Sequence, residues 1–289
     1  MGKVNEGVPV IYCGALELHG DLFFASLEFH DLVETLPVIH NYALTYALDL
    51  CTDENGRVSP LYLATERRKQ QPQYADDFAG LVQQGIYVSP AKPATGSVPT
   101  VVRQYASRVD EYLHPGRKID SVLSWEPNPN KRKPNTLASI FPLHGYMKVV
   151  AVGARFLFYV YNPPKELPIK RFIRLGKFNT KAEVRFFPCS EIVLSGGVQT
   201  TTHPVNVNDV DTLVPLNLTM MRPCALATVA QLGEGQSVQV VHQNPWDFAK
   251  SITSYLPIKP AYCSRVGEKK DAKNSDRGGK TQTKRRSRR

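Results

Sequence analysis

The 289-residue sequence lacks the short cysteine spacings that bind zinc or build a disulfide framework. Its cysteines, Cys13, Cys51, Cys189, Cys224 and Cys263, are odd in number and widely scattered, with no C-x-x-C pair and no histidine at ligand spacing. They read as reduced thiols, and neither a metal nor a cofactor is expected. Long apolar runs are also missing. The most apolar stretch, Val149 to Tyr161, is about 13 residues with Arg155 inside it, whereas a spanning helix needs roughly 20. The apolar N-terminal stretch Val8 to Leu16 is broken by Glu17, His19 and Asp21, unlike a signal peptide. The expectation is a soluble, cytoplasmic chain with no membrane contact.

Recognisable catalytic constellations are absent as well. Seven histidines supply general acid/base candidates, yet none forms H-E-x-x-H. His19-Gly20-Asp21 falls at an expected turn and reads as structural. Gly279-Lys280-Thr281 ends like a P-loop, but Asn274 stands where the leading glycine belongs and no strand precedes it. Catalysis therefore finds no support in the residues.

What is present is positive charge, unevenly placed. The chain carries a formal +10, with 42% hydrophobic and 21% charged residues, enough apolar content for a core and too little charge for wholesale disorder. From Gly267 to Arg289 ten Lys/Arg face three acids, so +7 sits in an aperiodic tail expected to be disordered and the other residues hold +3. Within the body the densest cluster runs from Lys165 to Arg185, where Lys165, Lys170, Arg171, Arg174, Lys177, Lys181 and Arg185 meet Glu166 and Glu183, with Phe172 and Phe178 interleaved. Cations neutralise phosphates and aromatic faces stack on unpaired bases, so the combination suits single-stranded nucleic acid. The competing reading is a solvated strand pair with snorkelling cations and buried phenylalanines. Arg67, Arg68 and Lys69, and Lys131, Arg132 and Lys133, are weaker candidates for the same role.

Periodicity places the elements. Val10, Tyr12, Leu16 and Leu18 share one parity, as in a half-buried strand. From Leu36 to Leu50, Ile39, Tyr42, Ala43, Tyr46, Ala47 and Leu50 share a helical face, with Thr35 as the expected N-cap. His40 and Asn41 at the start of this helix are candidates for contacts to bases or 2′-hydroxyls. Residues 53 to 142 lose periodicity and read as a long excursion. Beyond Pro142 short strands follow, at Tyr146 to Val152, Arg155 to Tyr161, Val184 to Phe187, Ile192 to Leu194, Val205 to Val210, Leu213 to Leu218, Leu226 to Ala230 and Ser237 to His242. The expected fold class is α+β, divided into an N-terminal part over 1–142, a β-rich remainder completing the body over 143–266, and the tail over 267–289.

The blocks G-A-L-E-L-H-G-D-L-F-F-A (14 to 25), E-T-L-P-V-I-H-N-Y-A-L-T-Y-A-L (34 to 48), G-I-Y-V-S-P-A-K-P (85 to 93) and R-F-I-R-L-G-K-F-N-T-K-A (171 to 182) resemble one family. It is the type I-D CRISPR-associated subunit of the RAMP superfamily, in the Cas-five group, called Csc-one. The resemblance implies a ferredoxin-like, RRM-related body with an inserted hairpin or thumb, drawn from the excursion, and a β-rich C-terminal part. It also implies a non-catalytic role capping the five-prime handle of the CRISPR RNA in the Cascade effector. The implied partners are the Cas-seven-type backbone subunit, the Cas-ten-type large subunit and target duplex DNA near the protospacer-adjacent motif. On this reading Lys170, Arg171, Arg174, Lys177, Lys181 and Arg185 hold RNA with His40, Asn41 and a stacking Phe178. Two alternatives stay open: a metal-independent endoribonuclease that processes precursor RNA, with His40 or His144 as acid/base, and a mainly structural scaffold.

Overall fold

The computed structural model describes residues 8–29, 32–50, 74–107, 143–163 and 167–264. It is a mixed α+β fold, dominated by strands. The central sheet is built on β1 (Ile11–Leu18), flanked by β8 (Arg155–Tyr161) and β10 (Thr180–Pro188), both antiparallel to it. Outside these lie β4 (Tyr87–Val88) and β5 (Lys92–Pro93) against β8, and β9 (Lys170–Leu175) against β10. β1 is not the half-buried strand its alternation suggests. Ile11, Cys13 and Ala15 on one parity and Leu16 and Leu18 on the other are all buried, because the strand is central and covered on both faces.

The two covers differ. Helix α1 (Asn41–Leu48) packs against β9 and β4, and Leu44 and Leu48 join Ile173, Leu175, Val184 and Phe158 in the main core. The other cover is a three-stranded sheet of β11 (Glu191–Leu194), β16 (Ser237–Asn244) and β17 (Asp247–Pro257). Tyr159 reaches it through its hydroxyl, which donates to Ser254 Oγ at 2.7 Å and lies 3.0 Å from His242 Nε2, and the Tyr161 hydroxyl donates to the Pro257 carbonyl at 3.0 Å. These bonds satisfy phenolic groups that would be costly to bury alone. Gly14 makes room for an aromatic ring: a Cβ there would lie 2.3 Å from the Phe158 ring.

A second sheet pairs β2 (Leu27–Phe29), β3 (Leu32–Glu34), β7 (Leu143–Val150) and β6 (Thr100–Ser107), with β3 parallel to β7 and β6 antiparallel to it. β6 and β7 thus form a two-stranded ribbon at the foot of the 108–142 connection, which lies outside the described residues. A further sheet gathers β12 (Gln199–Thr200), β13 (Val205–Asn206) and β14 (Leu213–Thr219) around β15 (Leu226–Leu232). Strands from both sides of position 142 share the central and second sheets. Two short helices, α2 (Tyr74–Asp77) and α3 (Ala79–Gln83), complete the described elements.

Helix α1 starts later than its periodicity suggests. Asn41 is its first residue and His40 its N-cap, accepting from the Tyr42 N–H through Nδ1. Thr35 instead pins the preceding segment, its hydroxyl accepting from Phe24 N and donating to Phe24 O, both at 3.0 Å. Strand β17 has no counterpart in the sequence pattern. Its first half is largely exposed and carries mixed polar and apolar residues, so no alternation marks it.

One buried carboxylate ties these parts together. Asp209 Oδ1 accepts from the Tyr42 hydroxyl at 2.8 Å and the Cys263 N–H at 2.9 Å. Its Oδ2 accepts from Asn41 Nδ2 at 2.8 Å and the Tyr87 hydroxyl at 3.1 Å. Asn206 Nδ2 adds a bond to Asn41 Oδ1 at 3.1 Å. Replacing Asp209 by Ala takes the acceptor from the Tyr87 hydroxyl and the Cys263 N–H, while Asn41 Nδ2 keeps the Tyr87 hydroxyl at 3.2 Å and the Tyr42 hydroxyl keeps Cys263 Sγ at 3.2 Å, and each unsatisfied buried group costs about 1–3 kcal/mol. The variant should lose at least ~2 kcal/mol of stability in urea unfolding, with Asp209→Asn intermediate. A loss below ~1 kcal/mol would show that the network does not hold the layers together.

Candidate nucleic-acid interface

Strands β9 and β10 form an antiparallel hairpin whose alternation sorts the basic cluster. Ile173 and Leu175 on β9, and Ala182, Val184 and Phe186 on β10, are buried. The opposite parity carries the polar residues, and the register sets Arg174 across from Lys181, Phe172 across from Glu183 and Lys170 across from Arg185. Four of the sequence-predicted cations therefore share one face with a 48% exposed phenylalanine. Arg171 has the inward parity and is half-buried.

Glu183 organises this face. It receives Lys170 Nζ at 2.8 Å, with His19 Nε2 at 3.6 Å and Arg185 Nε at 3.9 Å. The Lys170 hydrogen bond holds its carboxyl below the usual glutamate range. Lys181 Nζ lies 4.1 Å and Lys170 Nζ 5.1 Å from the centre of the Phe172 ring, and His19 meets that ring edge-on at 5.8 Å. Next along the sheet, Glu17 pairs with Arg155, whose guanidinium lies 5.7 Å from the Trp246 ring. The arrangement holds a flat ring between cations on a rigid sheet. It can meet a base with the ring and neighbouring phosphates with the ammonium and guanidinium groups. Phe172 stands out in the sequence as an interleaved aromatic, but its register with the cations is visible only once the strands pair.

The turn between the strands is held by backbone. Gly176 has φ +71°, and a Cβ on it would lie 2.6 Å from the Phe23 carbonyl, which accepts the Lys177 N–H at 2.9 Å. Phe178 lies on this turn, 49% exposed and stacked on Phe23 at 5.2 Å. Lys177 turns away from the sheet face into a cleft lined also by Phe24, His40, Tyr42 and Arg222.

His40 and Asn41 sit away from the β9–β10 face, with His40 on the wall of the cleft that Lys177 enters. Asn41 is 0% exposed, and its amide is bonded to Asp209, Tyr87 and Asn206. A helix terminus suggests a ligand there, but the core consumes the free donor capacity. His40 is 4% exposed. Its Nδ1 accepts from Tyr42 N, so Nε2 carries the proton and faces Cys224 Sγ at 3.3 Å. Burial lowers its pKa to about 4, leaving it neutral near pH 7. A ring so engaged is poorly placed to take a proton from a scissile 2′-hydroxyl.

Arg67, Arg68, Lys69, Lys131, Arg132, Lys133, Lys165, Cys51 and the tail lie outside the described residues, as does the side chain of His144. Among the described residues the four cysteines are free thiols, no group of three or more His, Cys, Asp or Glu is placed to hold a metal ion, and no helix is long and apolar enough to cross a membrane.

Aligned cations beside an exposed aromatic ring, on a rigid hairpin of a mixed fold, form a surface whose chemistry would suit a polyanion. The chain is a member of the family described as type I-D CRISPR-associated protein Cas5/Csc1, which matches residues 9–265. No curated protein matches it. Among solved structures it is similar to a chain of the type III-B Cmr-beta complex bound to cognate target RNA and AMPPnP, at 9% identity and a TM-score of 0.36, over 92% of this chain and 91% of that one.

The buried ionisable groups give the chain a signed pH response. His40 and His203 have folded pKa values lowered by burial to about 4 and about 3. The unfolded chain therefore takes up their protons first, and their stabilisation, full above pH ~6.5, is lost on acidification. His242, lowered by burial in the same direction, adds to that loss. Asp209 works the other way. Burial raises it to about 6, so it adds stability as pH falls from ~6 to ~4. The two protons of His40 and His203 against the one of Asp209 leave a net loss of about 1.4 kcal/mol per pH unit between pH ~6 and ~4. Denaturant unfolding across that range should show at least this slope, and His203→Gln should flatten it. A stability that rises on acidification would contradict the assignment.

Proposed function

We propose that this chain is a non-catalytic RNA-binding subunit of a type I-D CRISPR effector, and that it holds the five-prime handle of the CRISPR RNA on the open face of the β9–β10 hairpin. The observation that carries this reading is the register of that hairpin, which aligns Lys170, Arg174, Lys181 and Arg185 around an exposed Phe172. Membership in the Cas5/Csc1 family supports it independently.

The body is read as ferredoxin-like. Support comes from the antiparallel order β8-β1-β10-β9 with α1 against one side, although β8 precedes the hairpin in the chain. RRM-type sheets bind RNA on the face opposite their helices, with aromatics that stack on bases. Here β16 and β17 cover part of that face and the β9–β10 end stays open. The β6–β7 ribbon is the stem of the proposed thumb. The Cas-seven-type backbone and the Cas-ten-type large subunit are the proposed protein partners. Target DNA would be selected by guide pairing, leaving this subunit to read handle, shape and backbone.

Replacing Lys170, Arg174 and Lys181 together by Ala should abolish retention of repeat-derived RNA by the purified complex. For the full-length chain, loss of three phosphate contacts should lower the slope of log affinity against log salt by roughly 2. Unchanged affinity and slope would remove this face from the site.

A further inference from the structure

On the far side of the β9–β10 turn, a cleft of about 840 Å³ opens between the segment 24–26, helix α1, Tyr74 and the loop 221–223. Its walls are mainly rings: Phe24, Tyr42, Tyr46 and Tyr74, with Tyr42 and Tyr74 4.7 Å apart between centres. Lys177 and Arg222 are the charged groups on the lining, and among the described residues the lining holds no carboxylate. Two acids stand nearby: Asp77 accepts from the Tyr46 hydroxyl, and Glu28 acts on Lys177. Burial lowers the Lys177 pKa, Glu28 raises it, and the repulsion of Arg222 lowers it further. Both cations line one cleft, so a phosphate entering it would meet charge of opposite sign from two sides and would share Lys177 with Glu28.

We infer that this cleft is a nucleotide-binding site that takes one unstacked base of a single-stranded RNA against Tyr46 and Tyr74, with the adjoining phosphate held between Lys177 and Arg222. The inference rests on the RNA-binding reading above and assigns it a second site. Ring walls with two cations and no lining acid match a base and its phosphate. An apolar peptide would use the rings but bring no anion to the two cations. The volume suits one nucleotide with its immediate backbone and is too small for a duplex. Position adds a further argument. Arg174 on the sheet face and Lys177 in the cleft are three residues apart, at most about 11 Å of chain. One RNA strand can pass from the face around the turn, across the exposed ring of Phe178, and into the cleft.

Two substitutions test the cleft without touching the core. Ala43, on the solvent side of α1, lines it, and Ala43→Met fills it with a good helix former. Arg222 is exposed, and Arg222→Glu reverses its charge. With the full chain and a single-stranded RNA, each variant should lose roughly tenfold in affinity by fluorescence anisotropy while its thermal unfolding stays that of the parent chain. For an abasic strand of equal length, Ala43→Met should bind as the parent does, because no base is left to exclude. RNA carrying photoreactive 4-thiouridine should crosslink to Tyr46 or Tyr74. RNA binding unchanged in both variants, with crosslinks confined to Phe172 and Phe178, overturns the cleft and leaves the sheet face standing; a cleft that receives a partner protein's side chain would give that result. Loss of affinity in the sheet-face variant but none in Ala43→Met overturns the cleft in the same way. If the parent chain binds no RNA, both readings fall.

Discussion

The Asp209 carboxylate is the constraint on which the arrangement of layers depends. Its four donors come from the first turn of α1, from β4 and from the turn at Cys263, while Asn206, which bonds to Asn41, sits on β13. No apolar contact could fix these parts in one register, because dispersion and burial are non-directional. A charged acceptor with four directed bonds does so, at the cost of desolvating a carboxylate. The raised pKa of about 6 records that cost, since burial outweighs the bonds that favour the ionised form. Fixing the start of α1 also fixes the positions of Tyr42, Ala43 and Tyr46 along one wall of the cleft. A polar network deep in the core thus sets the shape of a surface feature.

Charge on the outer face of the β9–β10 hairpin is managed by Glu183, the one acid described on these two strands. Glu183 lies among Lys170, Arg185 and His19, and without it the face would place several like charges within a few ångströms on a rigid sheet. The carboxylate lets the strands pair and still leaves an excess of cations. A phosphate brought to this face competes with Glu183 for Lys170, so binding exchanges one ion pair for another and the net gain is smaller than a count of cations suggests. Arg174 and Lys181 face each other in register, so neither has an acid directly across the strands. They are the stronger candidates for the first phosphate.

Much of this is legible in the sequence, and what is not has physical causes. The strand Arg155–Tyr161 can be read to its ends because its apolar run is bounded by the Gly153 turn and by Asn162, both at positive φ. The cations of β9 and β10 are visible as a cluster, but sorting them needs strand pairing, because composition alone does not reveal which parity faces the core. Lys170, Arg174, Lys181 and Arg185 fall outward, Arg171 inward, and Lys177 on the turn, facing the cleft. His40 and Asn41 stand out in the sequence as polar residues beside an apolar helix face. Their partners, Cys224, Asn206 and Asp209, lie more than 160 residues away, and one sequence carries no signal for such contacts. The aromatic cleft is hidden for the same reason, since Phe24, Tyr46 and Arg222 meet only in the fold.

The hairpin turn joins the two surfaces, and its chemistry explains why the cluster has two faces. Gly176 at positive φ lets the chain reverse against the Phe23 carbonyl, where any side chain would collide. That close approach forces Lys177 toward the cleft and stacks Phe178 on Phe23, while the pleat keeps Arg174 and Lys181 on the sheet. A basic run that reads as one patch in sequence is therefore divided by a backbone contact. Its two parts differ in dielectric as well as direction: Arg174 and Lys181 stand in solvent, where phosphate attraction is screened by salt, and Lys177 is partly desolvated, where each charge acts more strongly. Binding at the first should weaken steeply with ionic strength, and binding at the second should persist.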